Sequence, residues 1–144
     1  MVSNADFINE VNQSGLVEEY IEMSKVYRQT SIFPKSSLRL FHKAMGINYF
    51  LKPGILQLQQ RADGRLSVFS LRLIVTRETS ANVNLEIWNA RTGSKVWEGA
   101  AGCTVAGEKL SEKRIAPQKV LGDAWKKLVE KLYETVGDPS ANAS

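Results

Sequence analysis

The chain is poor in the residues that most often carry chemistry. Of its 144 residues, one is cysteine and one is histidine. A single cysteine, Cys103, excludes an internal disulfide framework and a cysteine-based zinc site. A Ser-His-Asp or Cys-His arrangement would have to use His42, which sits beside Phe41 in a short helical segment far from Cys103 in the chain. Aspartate is scarce as well: Asp6, Asp63, Asp123 and Asp138 are widely spaced and make no metal-ligand pattern. Gly99, Gly102 and Gly107 lack the Lys-Ser/Thr pair and the strand-to-helix setting of a phosphate cradle. No window approaches the ~20 apolar residues that span a bilayer. These shortages give the expectation of a protein that is not an enzyme and takes no metal, cofactor or small-molecule substrate.

What is present is ordinary for a folded domain. The composition is 43% hydrophobic and 24% charged, which suits one domain over 1–144 with an ordered core of about 7–137 and a small-residue tail at 138–144. Nineteen Lys and Arg against fifteen Asp and Glu give +4 and a pI of 9.3. That balance suits an acidic partner, such as a phosphate backbone or an anionic membrane surface. The charges are interleaved, however, as in Glu112-Lys113-Arg114, and no run of five like charges occurs. The first reading is therefore a mixed, solvated surface.

Period 3.6 marks three helices. Residues 16–30 place Leu16, Val17, Tyr20, Ile21, Ser24 and Tyr27 on one face, with Ser14 as the cap. Phe7, Ile8 and Val11 suggest an earlier turn, ended at Ser14-Gly15. Residues 34–45 start at Pro34 and stop at Gly46, with Leu38, Phe41 and Met45 as the stripe. The last helix runs from Pro117 to Gly137 with a broad apolar face that includes Leu121, Trp125, Leu128 and Leu132; Trp125 is expected to be mostly buried.

Period 2 marks four strands. They are 47–59, broken near Pro53-Gly54; 66–77, after a turn at 62–65 and with a bulge at Val68-Phe69; 81–89; and 95–104. In the third, Val83, Leu85 and Ile87 point inward, and Asn84, Glu86 and Trp88 outward. Residues 90–94 form the hairpin loop, with Gly93 at a positive φ, and 105–116 form a polar loop. The expected fold class is α+β: a two-layer sandwich with a mainly antiparallel sheet of about four strands and helices packed on one face.

Trp88 and Trp97 flank the hairpin loop, near Arg91 and Lys95. Four such residues can stack nucleic-acid bases, cover a sheet face within the chain, or meet a protein partner.

Ile87-Trp88-Asn89-Ala90-Arg91-Thr92-Gly93-Ser94-Lys95-Val96-Trp97-Glu98 resembles the W-(D/N)-A-x-T-G-x-x-x-W-E hairpin of bacterial envelope lipoproteins similar to the CsgG periplasmic domain, the LpoB activators of penicillin-binding proteins and the TolB N-terminal domain. Met45-Gly46-Ile47-Asn48-Tyr49-Phe50-Leu51 is similar to the same group's helix-to-strand junction, and the likeness covers about 16–135. The resemblance implies a periplasmic, non-catalytic protein-interaction or scaffolding module. It also implies outer-membrane anchoring in a full-length precursor, through a signal peptide and lipobox cysteine that are not in this chain, since Met1–Ala5 is polar. The members' opening strand has no counterpart before Phe7, which leaves a sheet edge exposed. Lys52 and Pro53 shield only part of 47–59, so self-association or a protein partner is expected through that edge, the hairpin or both. Partner-binding residues are expected at Trp88, Arg91, Lys95 and Trp97. The alternative is a basic nucleic-acid-binding module built on Trp88, Arg91 and Trp97.

Overall fold

The computed structural model describes residues 2–67, 72–108 and 116–137. In chain order the elements are α1 (Asn4–Gln13), α2 (Val17–Thr30), α3 (Lys35–Met45), β1 (Tyr49–Ser67), β2 (Arg72–Asn89), β3 (Ser94–Glu108) and α4 (Pro117–Gly137). The class is α+β, with an antiparallel sheet in the order β1-β2-β3. The expected bulge at Val68-Phe69, residues 109–115 of the expected loop and the tail 138–144 lie outside the described residues.

Among the described residues the sheet has three strands rather than four, for two reasons. Ala62-Asp63-Gly64-Arg65, read as a turn, continues β1, which runs on to Ser67. The link expected at 78–80 is strand as well: Thr79 is buried and β2 runs straight through it. A β-branched residue with no Gly or Pro beside it has nothing to force a turn. Pro53 likewise leaves β1 unbroken, because β1 is an edge strand and a missing N–H is tolerated there.

The helix ends follow local chemistry. Ser3 caps α1, its hydroxyl accepting from the Asp6 N–H at 3.1 Å. Ser14 closes α1 rather than capping α2, whose first turn has no side-chain cap. Pro34 stands at the N-cap of α3, one place earlier than expected, and Gly46 ends α3 with φ 69°.

The contacts divide the chain into two compact units. The first holds Met1–Leu51 and Glu86–Trp97. Its core is Val11, Met23, Phe33, Leu38, Phe41, Trp88 and Ala90. Phe7, Tyr20, Phe41 and Phe50 meet edge to face or tilted around it. The buried stripe of α2 differs from the one expected. Met23 is the fully buried residue, with Tyr20 and Tyr27 beside it in the core, while Val17 and Ile21 face outward. Leu16, Tyr20, Met23 and Tyr27 recur at helical spacing just as well, and α1 and α3 packing on α2 selects that set.

The second unit holds Lys52–Leu85 and Glu98–Ser144. Its buried residues include Ala81, Val83 and Leu85 on β2, Ala101 on β3, and Val120, Ala124 and Leu128 on α4. Trp125, expected to be mostly buried, is only half-buried. Val120, Ala124 and Leu128 form the fully buried stripe, and Trp125, one residue on from Ala124, falls about 100° round the helix at its flank. Lys127 and Lys131 bring α4 onto β3 by donating to the carbonyls of Gly102 at 3.5 Å and Ala100 at 3.0 Å.

Candidate functional site

The β2–β3 hairpin is built by its own residues. The Asn89 side chain accepts from the backbone N–H of Arg91 and of Thr92, each at 3.0 Å. The Gly93 N–H closes the turn on the Asn89 carbonyl at 2.8 Å. Gly93 itself has φ +72°, and a Cβ there would collide with the Lys35 side chain. The Arg39 Nε donates to the Arg91 carbonyl at 3.1 Å. The turn is thus held on α3, and Lys35, Arg39 and Arg91 gather around it.

Behind the turn lies a buried carboxylate, Glu86, at 5% exposure. Tyr27 Oη donates to its Oε1 at 2.7 Å, and Trp88 Nε1 donates to its Oε2 at 2.9 Å. Lys95 Nζ stands 3.4 Å from Oε2 and 5.2 Å from the centre of the Trp88 ring. Burial alone would raise the Glu86 pKa. The hydrogen bonds from Tyr27 and Trp88 and the charge of Lys95 outweigh it and hold the carboxyl below its ordinary value. Such a group is a fixed anion, satisfied on both oxygens. It suits fastening α2, β2 and β3 together rather than taking up a proton at neutral pH.

Trp88, expected to face outward, is 4% exposed and meets the Phe33 ring edge to face at 5.4 Å. Glu86 and Trp88 share a face of β2, as the alternation predicts and the Nε1–Oε2 bond requires. That face is covered in the first unit by Phe33 and Tyr27, which a single-strand pattern does not reveal. Trp88 cannot therefore stack a base or meet a partner without the core opening. Trp97 is half-buried, and among the described ring contacts none joins it to Trp88. Lys95 is engaged with Glu86. Arg91 is exposed. The sequence places Tyr27 on a helix face and Glu86 on the outward side of a strand, but does not pair them or mark either as part of a site. A carboxylate two residues from a tryptophan, with a lysine across the hairpin, was the available signal.

A second surface lies on β1. Ile55, Leu56 and Leu58 are 56, 62 and 47% exposed. Among the described residues no strand lies on the side of β1 away from β2. No group of His, Cys, Asp and Glu able to hold a metal occurs among the described residues.

No family model matches the chain, and no curated protein matches it. Among solved structures, it is similar to the lipoprotein GNA1162 from Neisseria meningitidis. The identity is 11%, the TM-score 0.36, and the match covers 76% of this chain and 69% of that one. No described helix is long and apolar enough to cross a membrane.

Proposed function

We propose that this chain is a non-catalytic protein-interaction module of the bacterial cell envelope, of the lipoprotein type. The observation that carries the reading is the exposed apolar segment of β1. Three aliphatic side chains stand in solvent within four residues of one edge strand, in a fold that buries Trp88 and satisfies both oxygens of the buried Glu86. Exposed apolar residues gathered at an unpaired sheet edge are the mark of a surface that meets another protein. The envelope location is supported by the hairpin sequence from Ile87 to Glu98. Arg91 and Trp97 are the hairpin residues left to contribute to a contact.

The test is fractionation of the native host together with site-specific photocrosslinking. A crosslinker at Leu56 should give a discrete protein adduct in the envelope fraction, and one at Glu22, an exposed position of α2, should not. A protein found wholly in the soluble cytoplasm, or adducts of equal yield from both positions, would overturn the reading.

A further inference from the structure

We infer that the open edge of β1 is the site at which a second copy of this chain docks, by antiparallel pairing of residues 54–60 with the same residues of the partner. The inference rests on the protein-interaction reading above and names its occupant.

The two edges of the sheet are treated differently. Along β3, the ammonium groups of Lys127 and Lys131 lie on the carbonyls of Gly102 and Ala100. Lysine at an edge is a standard deterrent to strand docking, since an incoming strand would have to displace or bury the charge. Along β1 the deterrents stop early. Lys52 and Pro53 stand at the head of the segment, and the next charged residue is Arg61. Between them Gly54-Ile55-Leu56-Gln57-Leu58-Gln59-Gln60 has no charge and no proline. Its aliphatic residues are exposed at successive positions, so both sides of the strand contribute.

The segment is also complementary to itself. Antiparallel pairing about a twofold axis at Gln57 sets Leu56 against the partner's Leu58 and Leu58 against the partner's Leu56. Ile55 meets the partner's Gln59, and Gln57 meets its own counterpart. No like charges are opposed within the paired stretch, and the axis lies midway between the flanking deterrents. A different protein could offer a strand too. A second copy is the occupant whose pattern is already on the page.

Closure follows from the same asymmetry. Among the described residues β1 is the edge without such lysines, and a twofold pairing consumes that edge on both chains, so assembly stops at two instead of running on as a fibre. Strength follows from size. Seven residues extend about 23 Å along the edge at ~3.3 Å each. With their side chains they cover on the order of 500 Å² per chain, below the ~800 Å² of a standard stable interface. The dimer is accordingly concentration-dependent, with Kd in roughly the micromolar range.

The experiment is sedimentation velocity on the full chain and on two double variants, L56K/L58K and L56E/L58E, with circular dichroism melts of each. The parent should pass from monomer to dimer over about two decades of concentration. Each double variant alone should lose dimer by at least about tenfold in Kd, because like charges then face each other across the axis. The equimolar mixture should recover it, because opposite charges then meet. That recovery also excludes misfolding of the variants as the cause of their loss. A parent that stays monomeric, variants that dimerise like the parent, or a mixture that fails to recover would overturn the inference. A monomeric parent that still gives an envelope crosslink at Leu56 would sink the self-pairing alone. A dimer with no envelope association would sink the location alone.

Discussion

Tyr27 on α2 and Glu86 on β2 are 59 positions apart in sequence, and a 2.7 Å hydrogen bond joins the phenol to the carboxylate. Trp88 and Lys95 complete the arrangement from the same hairpin, so one buried anion ties a helix to two strands.

Stability in acid should report this group. The folded state holds Glu86 below its ordinary value of 4.5. A depressed carboxyl contributes stability that is present above the unfolded pKa and lost as pH falls through the folded one. Glu86→Gln should therefore melt below the parent at neutral pH, and the gap should narrow as pH drops below 4.5. A gap that is constant from neutral pH into acid would mean the carboxylate charge contributes nothing. Tyr27→Phe should lower stability by about 1–3 kcal/mol at neutral pH, leaving one carboxylate oxygen short of a donor.

The tryptophans should separate by burial. Trp88→Ala removes a core ring and the Nε1 donor to Glu86, and should cost about 3–5 kcal/mol in denaturant melts. Trp125→Ala, at a half-buried position, should cost clearly less, about 1–2 kcal/mol. Equal losses would show that α4 seats Trp125 as deeply as β2 seats Trp88.

The hairpin turn gives a backbone test. Gly93→Ala must hold a side chain at φ +72° and displace Lys35, which should cost about 1–2 kcal/mol. Asn89→Ala removes two acceptor contacts to backbone N–H groups and should cost about 1 kcal/mol. A Gly93→Ala variant as stable as the parent would mean that the turn does not rest on α3 in solution.

Nucleic-acid binding can be decided by electrophoretic shift at low and moderate salt. Lys35, Arg39 and Arg91 around the turn can attract phosphate, but the buried Trp88 supplies no stacking platform. The expected result is weak retardation at low salt only, lost at moderate salt as counterion release predicts. Retardation that persists at moderate salt and vanishes with Trp97→Ala would favour the nucleic-acid alternative.

Local chemistry fixed several features in advance. The helices at 34–45 and 117–137 were legible because their stops are Gly46 and Gly137-Asp138-Pro139, whose preferences act within a few residues; the helix at 16–30 was legible in its extent, although it ends at Ser31 without a glycine. The hairpin loop at 90–94, with Gly93 at positive φ, was legible for the same reason. The strand count was not. Ala62-Asp63-Gly64-Arg65 is a turn signal by composition, yet a sheet neighbour keeps it extended. Pro53 passes through β1 only because β1 has an open side, which is a property of sheet order.

The face of Trp88 illustrates the division most plainly. Sequence alone determined that Glu86 and Trp88 lie on one side of β2, because side chains alternate along any strand. It also determined that the segment from Gly54 to Gln60 carries neither charge nor proline. Only the tertiary structure decided that Phe33 and Tyr27 cover the first pair, and that β1 lies at the edge of the sheet. Alternation is a local consequence of backbone geometry. Which face is covered, and which edge is left open, depends on elements distant in the chain, whose placement follows from the burial and hydrogen bonding they achieve together.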